Sequence, residues 1–237
     1  VAEELFSEAG LDLEQLKKDA LSSNFKPVPL KGFKMNAMLS NDLSFSVSHN
    51  VGGIKVGSKR PDEYVLMIAH WDHLGKRESH SLTNDQIYNG AVDNATGVAG
   101  VIELANSFKN IALDRSLLFL AVTAEESGLL GSQYFAEYPP IDLSNIVAGY
   151  NFDGILPTGR TRDVVVVGYG ASELENILEE ELNELDMYIT PDPAPEKGFF
   201  YRSDHISFAK KGVPMLYADG GVNLNDGGIE AGSKISN

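Results

Sequence analysis

Cysteine is absent from this 237-residue chain. The absence excludes disulfides, a thiolate nucleophile and Cys-ligated zinc, and leaves His, Asp and Glu as the donors any metal must use. Basic residues are also scarce: 19 Lys and Arg against 34 Asp and Glu give a net charge of −15. A sequence-independent grip on nucleic acid needs clustered cations to displace counterions, so that class of function is set aside, and the acidity reads as a solubilising surface. No apolar run approaches the ~20 residues that span a bilayer. Two hydrolase signatures are missing as well. There is no G-x-S-x-G elbow for a serine nucleophile, and no H-E-x-x-H helix for a one-zinc protease. Ser203, Asp204 and His205 are chain neighbours whose side chains point in different directions, so they do not read as a triad.

What is present alternates between strand-like and helix-like segments, without repeats or low-complexity blocks. The length suits one sizeable α/β core. An N-terminal helix and an extended, Pro-punctuated connector occupy residues 1–49, and this part is expected to pack on the domain that follows. Strands are expected at residues 64–69, in "SLLFLAV", "NIVAGYNF", "DVVVVGY" and "VPMLYA". Helices are expected at residues 94–108, from residue 127, across "SELENILEEELNEL" and in "SDHISFAKKG". This alternation predicts a three-layer α/β sandwich around a mixed, mostly parallel sheet. The closing stretch "ADGGVNLNDGGIEAGSKISN" is Gly-rich and poorly patterned. The chain starts without Met and stops inside that stretch, so it reads as a piece of a longer protein, incomplete at its C-terminus.

In such sheets ligands sit beyond the carboxyl ends of the strands. That is where the acidic and imidazole side chains fall. His70, Asp72 and His73 follow the first strand, Glu125 and Glu126 follow the second, Asp153 follows the third, and Asp93 stands just before a helix. Each carboxylate has a plain structural reading, such as a helix cap for Asp93 or a turn for Asp153. Crowded on one rim they would repel one another, and a bound cation relieves that repulsion. If the chain stays extended through Asp72, His70 and Asp72 share a side and His73 faces away. On that geometry His70 binds a metal, the Asp72 carboxylate orients its imidazole, and His73 is a packing or rim residue. The same alternation separates Glu125 from Glu126, one for a ligand and one for proton transfer.

The ordered motifs "AHWDHLG", "GAVDNATG", "TAEESGLLGS", "NFDG" and "YRSDHISFAKKGVP" resemble the M28 family of metallopeptidases, the co-catalytic zinc aminopeptidases. The resemblance covers nearly all of residues 50–220 and is closest to bacterial members that carry an inserted protease-associated domain. It implies that His70 and Asp153 are terminal ligands of one zinc, that Asp93 bridges two ions, and that Glu126 is a terminal ligand of the second. It further implies that Glu125 is the general base, that Asp72 orients His70, and that the Asp93-Asn94 peptide is cis. "SDH" then lies beside the substrate pocket, so His205 together with Phe200 and Tyr201 would meet the first residue of a peptide with a free N-terminus. Phe199 belongs to the same aromatic stretch, for which core packing is the equal alternative. Export to the periplasm or beyond is also implied.

One departure stands out. The family supplies the second zinc with a histidine from a Tyr-His-x-x-x-Asp segment downstream of the "GVP" strand, and no such segment occurs before Asn237. Spacing alone would offer His205 as a substitute, which the resemblance disfavours. The expectation is therefore one complete zinc triad and one incomplete pair. Rival functions on the same fold are a single-zinc glutaminyl cyclase and a non-catalytic receptor-like domain. Metal counting separates the first, and the presence of Glu125 with four of the five ligand positions speaks against the second.

Overall fold

The computed structural model describes residues 1–76, 86–156 and 159–235. The chain divides into two compact units, Val1–Ser46 and Val47–Asn237. In the first unit the single expected helix is two short ones, α1 (Ala2–Glu8) and α2 (Leu13–Asp19). The second starts afresh because the Asp12 side chain accepts the Gln15 N–H and satisfies an otherwise orphaned donor.

The second unit runs β1 (Val51–Lys55), β2 (Arg60–His70), the two-residue β3 (Gly75–Lys76) and β4 (Ile87–Tyr88), then α3 (Gly97–Phe108) and β5 (Arg115–Val122). It continues with α4 (Leu130–Glu137), β6 (Ile146–Asn151), β7 (Asp163–Val166), α5 (Leu174–Glu184) and β8 (Tyr188–Pro191). Then come α6 (His205–Ala209), β9 (Met215–Gly220) and α7 (Gly228–Ile235). Seven strands form one sheet in the order β1-β5-β2-β6-β9-β7-β8. The central four, β5, β2, β6 and β9, are parallel, while β1 and β7 join antiparallel to β5 and β9. The mixed, mostly parallel α/β fold expected from the sequence is the one observed.

β2 is the spine. Its inner half carries Leu66 and Ile68, both fully buried, against Leu118, Leu120, Val122, Ile146 and Phe208. Burial on both faces is what a near-continuous apolar strand requires, and it places β2 in the interior of the sheet. Register then fixes the rim: His70 pairs with Val122, and Ile68 with Asn151. Three parallel strands thus end together, with their following loops side by side.

Besides the two-residue β3 and β4, three elements lie outside those expected from the sequence. β1, "VGGIK", alternates too weakly to read as a strand, yet it pairs along its whole length with β5. β8 is a four-residue strand. α7 lies within the stretch that reads as poorly patterned.

Candidate metal centre

β2 stops at His70, the Trp71 N–H still donates to the Val122 carbonyl, and residues 71–74 belong to no strand or helix. The imidazole of His70 is buried, with Nε2 at 3.0 Å from Asp93 Oδ1 and 3.2 Å from Asp153 Oδ1. Ligand atoms of His70, Asp93 and Asp153 all lie within 4.8 Å of one another. Tetrahedral zinc with bonds of ~2.0–2.2 Å spaces its ligand atoms by ~3.3 Å, so His70 already has the required separation from both carboxylates. The donor set, one imidazole and two carboxylates without sulfur, fits zinc.

Asp72 departs from expectation. Its backbone carbonyl, not its carboxylate, meets His70 Nδ1, at 2.9 Å. The carboxylate turns toward the next loop, where Oδ2 accepts from Thr123 Oγ1 and from the Ala124 N–H, each at 2.6 Å. The two side chains thus do different work, His70 toward Asp93 and Asp153 and Asp72 toward the loop after β5. Asp72 still acts on the site, because Thr123 and Ala124 lead directly into Glu125 and Glu126. Asn50 holds the same loop from behind, accepting from the Thr123 N–H and donating to the Gly131 carbonyl.

His73 departs as well. It does not stand apart on the rim; its Nδ1 lies 2.6 Å from Glu126 Oε1 and 3.9 Å from Asp93 Oδ1.

Asp93 enters through a kinked turn, residues 91–96, that contains the cis Asp93-Asn94 peptide implied by the resemblance. Asn94 is buried and fully engaged. Its amide donates to the Phe152 carbonyl, and its Oδ1 accepts from the Gly97 and Gly154 N–H groups. It therefore ties the Asp93 turn, the start of α3 and the Asp153 loop together. Ser203 donates to Asp153 Oδ2 and accepts from Asn151 Nδ2. The ties of Asn94 to Phe152 and Gly154 and of Ser203 to Asp153 are not legible in the sequence, because those partners lie 50 to 60 positions away.

The electrostatics follow from this crowding. Burial alone pushes His70 down, but its contacts with Asp153 and Asp93 outweigh it and raise the imidazole to about 11. The His70 hydrogen bond in turn holds Asp93 below its usual range. A proton on His70 thus takes the role between two carboxylates that a divalent ion takes more fully. Glu125 is pushed up to about 8, first by burial and then by the charges of Asp153 and Asp204. Asp204 is itself buried and raised to about 6.

The cluster opens on a cleft of about 1010 Å³ that Asp93, Glu125, Glu126 and Asp153 line. Phe199 and Tyr201 also line it; Phe200 and His205 do not. His205 is fully buried between the rings of Phe200 and Tyr217, with centroids 4.9 and 5.0 Å away. For Phe200 and His205 the structure therefore shows packing rather than a place on the cleft wall.

Fold and cluster together define an α/β domain with a candidate metal centre at the carboxyl ends of its parallel strands. The chain belongs to Peptidase family M28, which matches residues 50–231. A probable zinc metalloprotease of Pyrenophora tritici-repentis is 37% identical over 97 residues, 41% of this chain and 22% of that protein. Aminopeptidase YwaD of Bacillus subtilis is 33% identical over 93 residues, 38% of this chain and 18% of that protein. The matched stretches are thus about a fifth of those relatives' lengths. In fold, the aminopeptidase from Aneurinibacillus sp. strain AM-1 is similar with a TM-score of 0.58 at 21% identity, over 79% of this chain and 44% of that one.

Proposed function

We propose that this chain carries the catalytic unit of a zinc-dependent exopeptidase, an aminopeptidase that releases N-terminal residues from peptides. The observation that carries the reading is the meeting of His70, Asp93 and Asp153 with Glu125 on one cleft. Zinc, when bound there, polarises a carbonyl and lowers the pKa of water toward neutrality. Glu125 is suited to accept the proton of an attacking water and return it to the departing amine, because it lines the cleft with the ligands and a divalent cation bound beside it would lower a carboxyl that burial raises in the metal-free chain. Asp72 keeps base and ligand in register, with its carboxylate on the Glu125 loop and its carbonyl on His70. A protonated α-amine is drawn to the acidic end of the cleft, and Phe199 and Tyr201 offer an apolar wall for the first side chain. Glu126 supplies a carboxylate beyond the His70, Asp93 and Asp153 donors of a single ion, which favours a two-ion peptidase over the one-zinc cyclase. Family resemblance also supports export to the periplasm or beyond and a protease-associated domain in the parent protein.

The test is hydrolysis of L-leucine p-nitroanilide and its N-acetylated form by the zinc-loaded chain, with and without chelator. Turnover of the free amine alone, lost with chelator, is expected. Equal turnover of both substrates would defeat the aminopeptidase reading.

A further inference from the structure

We propose that Arg202 and Lys197 form a carboxylate-binding subsite in the cleft, so that this chain takes short peptides by both ends, the α-amine at the acidic cluster and the C-terminal carboxylate at the two cations. The inference rests on the aminopeptidase reading above and names its substrate class, dipeptides and tripeptides with a free C-terminus.

Both side chains line the cleft on which Asp93, Glu125 and Asp153 open. They arrive from one local turn. Gly198 adopts φ 68 between two 3₁₀ turns, Pro195–Lys197 and Phe199–Tyr201, and so reverses the chain after Lys197. Arg202 follows Phe199 by three positions, the spacing that stacks side chains in a 3₁₀ turn, and its N–H donates to the Phe199 carbonyl. The Lys197 ammonium and the Arg202 guanidinium stand over the same ring, 5.9 and 5.5 Å from the Phe199 centroid. Cation–π attraction holds both against an apolar face without neutralising them.

Positive charge is scarce in this chain, and elsewhere in the second unit Lys59, Arg115 and Lys211 are paired with carboxylates. Among the described residues, Lys197 and Arg202 are not. The other acidic groups of the same cleft are turned to other work: Asp192 accepts the Ala194 N–H within its own turn, and Asp219 keeps Oδ1 buried. Unpaired cations on one wall and crowded carboxylates beyond them give the cleft a region of each sign, which is complementary to a zwitterionic ligand.

The place of Arg202 suits a short one. It precedes Ser203, whose hydroxyl donates to Asp153, so the guanidinium branches from backbone that is tied to the candidate metal cluster. An extended chain advances ~3.3–3.6 Å per residue, and a dipeptide or tripeptide therefore separates its charged ends by roughly 7–11 Å.

Binding of leucylglycine, leucylglycinamide and leucylaspartic acid α-amide to the 237-residue chain is measured by calorimetry at low salt, with chelator present so that nothing is hydrolysed. Leucylglycine is expected to bind about 5-fold more tightly than either amide, as one exposed ion pair supplies. The difference should vanish in Arg202→Gln, and shrink in Lys197→Gln and with added salt. Equal binding of leucylglycine and its amide, or a difference that persists in Arg202→Gln, overturns the subsite. Leucylaspartic acid α-amide binding as tightly as leucylglycine moves the carboxylate to a side chain and overturns the assignment to the C-terminus. Hydrolysis of L-leucine p-nitroanilide, which has no carboxylate, tests the parent reading on the zinc-loaded chain. Anilide turnover without a carboxylate preference overturns the subsite alone, and a preference without turnover overturns the aminopeptidase reading alone. Should the variants fail to fold, the wild-type salt dependence decides, since a preference indifferent to salt also overturns the subsite.

Discussion

At the scale of single residues, the site is built from groups whose neighbours make them unlike their free counterparts. Glu125 is the clearest case, a carboxyl raised in the metal-free chain by burial and by the charges of Asp153 and Asp204, and one that a divalent cation beside it would lower. Glu125→Gln keeps the shape and removes the proton acceptor. It should lower kcat on a free-amine anilide by ~10²–10⁴-fold while zinc content stays at the wild-type value, measured on the same sample. Asn94 acts differently, through three hydrogen bonds that no other described side chain replaces. Asn94→Ala leaves buried backbone groups without partners, at a cost of ~1–3 kcal/mol each. Urea unfolding should show that loss, and zinc affinity should fall with it because Asp93 and Asp153 lose their common tie.

At the scale of elements, the loop between β5 and α4 decides whether the two glutamates face the cluster. Its backbone is clamped from both sides, by the Asp72 carboxylate at Ala124 and by Asn50 at Thr123 and Gly131. Gly131 is the point of closest approach: an added Cβ would stand 2.3 Å from the Thr123 carbonyl and 2.6 Å from Asn50 Oδ1. Backbone cannot yield there as a flexible side chain would. Gly131→Ala should destabilise the chain by about 1–3 kcal/mol, the usual cost of overpacking, visible as a lower urea midpoint. Because the loop must shift to admit the methyl, kcat should fall more than the stability loss explains at temperatures where the variant remains folded.

At the scale of the whole molecule, the net charge is −15, and the buried carboxyl groups among its acidic residues make stability depend on pH and metal together. Glu125, Asp219 and Asp204 are raised to about 8, 7 and 6, chiefly by burial. The folded state therefore holds protons that the unfolded chain has released above its ordinary carboxylate pKa. Between about pH 4.5 and 8 the unfolded state binds fewer protons, and stability falls as pH rises. His70, raised to about 11, has the same sign, its contribution present below 6.5 and fading above it. Asp93, held low, has the opposite sign and matters only on acidification. Metal-free protein should thus melt at lower temperature at pH 8 than at pH 5.5. Zinc should raise the melting temperature more at pH 8, where its ligands are deprotonated and the repulsion it relieves is greatest. Scanning calorimetry with chelator and with zinc checks both signs.

Much of this was written in the order of residues. The apolar run ending at His70 and the position of Asp153 after the third strand brought their side chains to one rim, because parallel strands in register end together. Chain geometry at the rim was not written there. The parallel projection of His70 and Asp72 presumed a strand longer than β2, which ends at His70, and His73, three residues past that end, meets Glu126. The ties of Asn94 to Phe152 and of Ser203 to Asp153 span tens of residues and leave no local periodic trace. Sequence alone thus determined the fold class and which chemical groups gather, since both follow from local periodicity and strand ends. Tertiary structure decided which of them touch, because contact distance is set by where strands stop and loops fold back, and that depends on packing between distant segments.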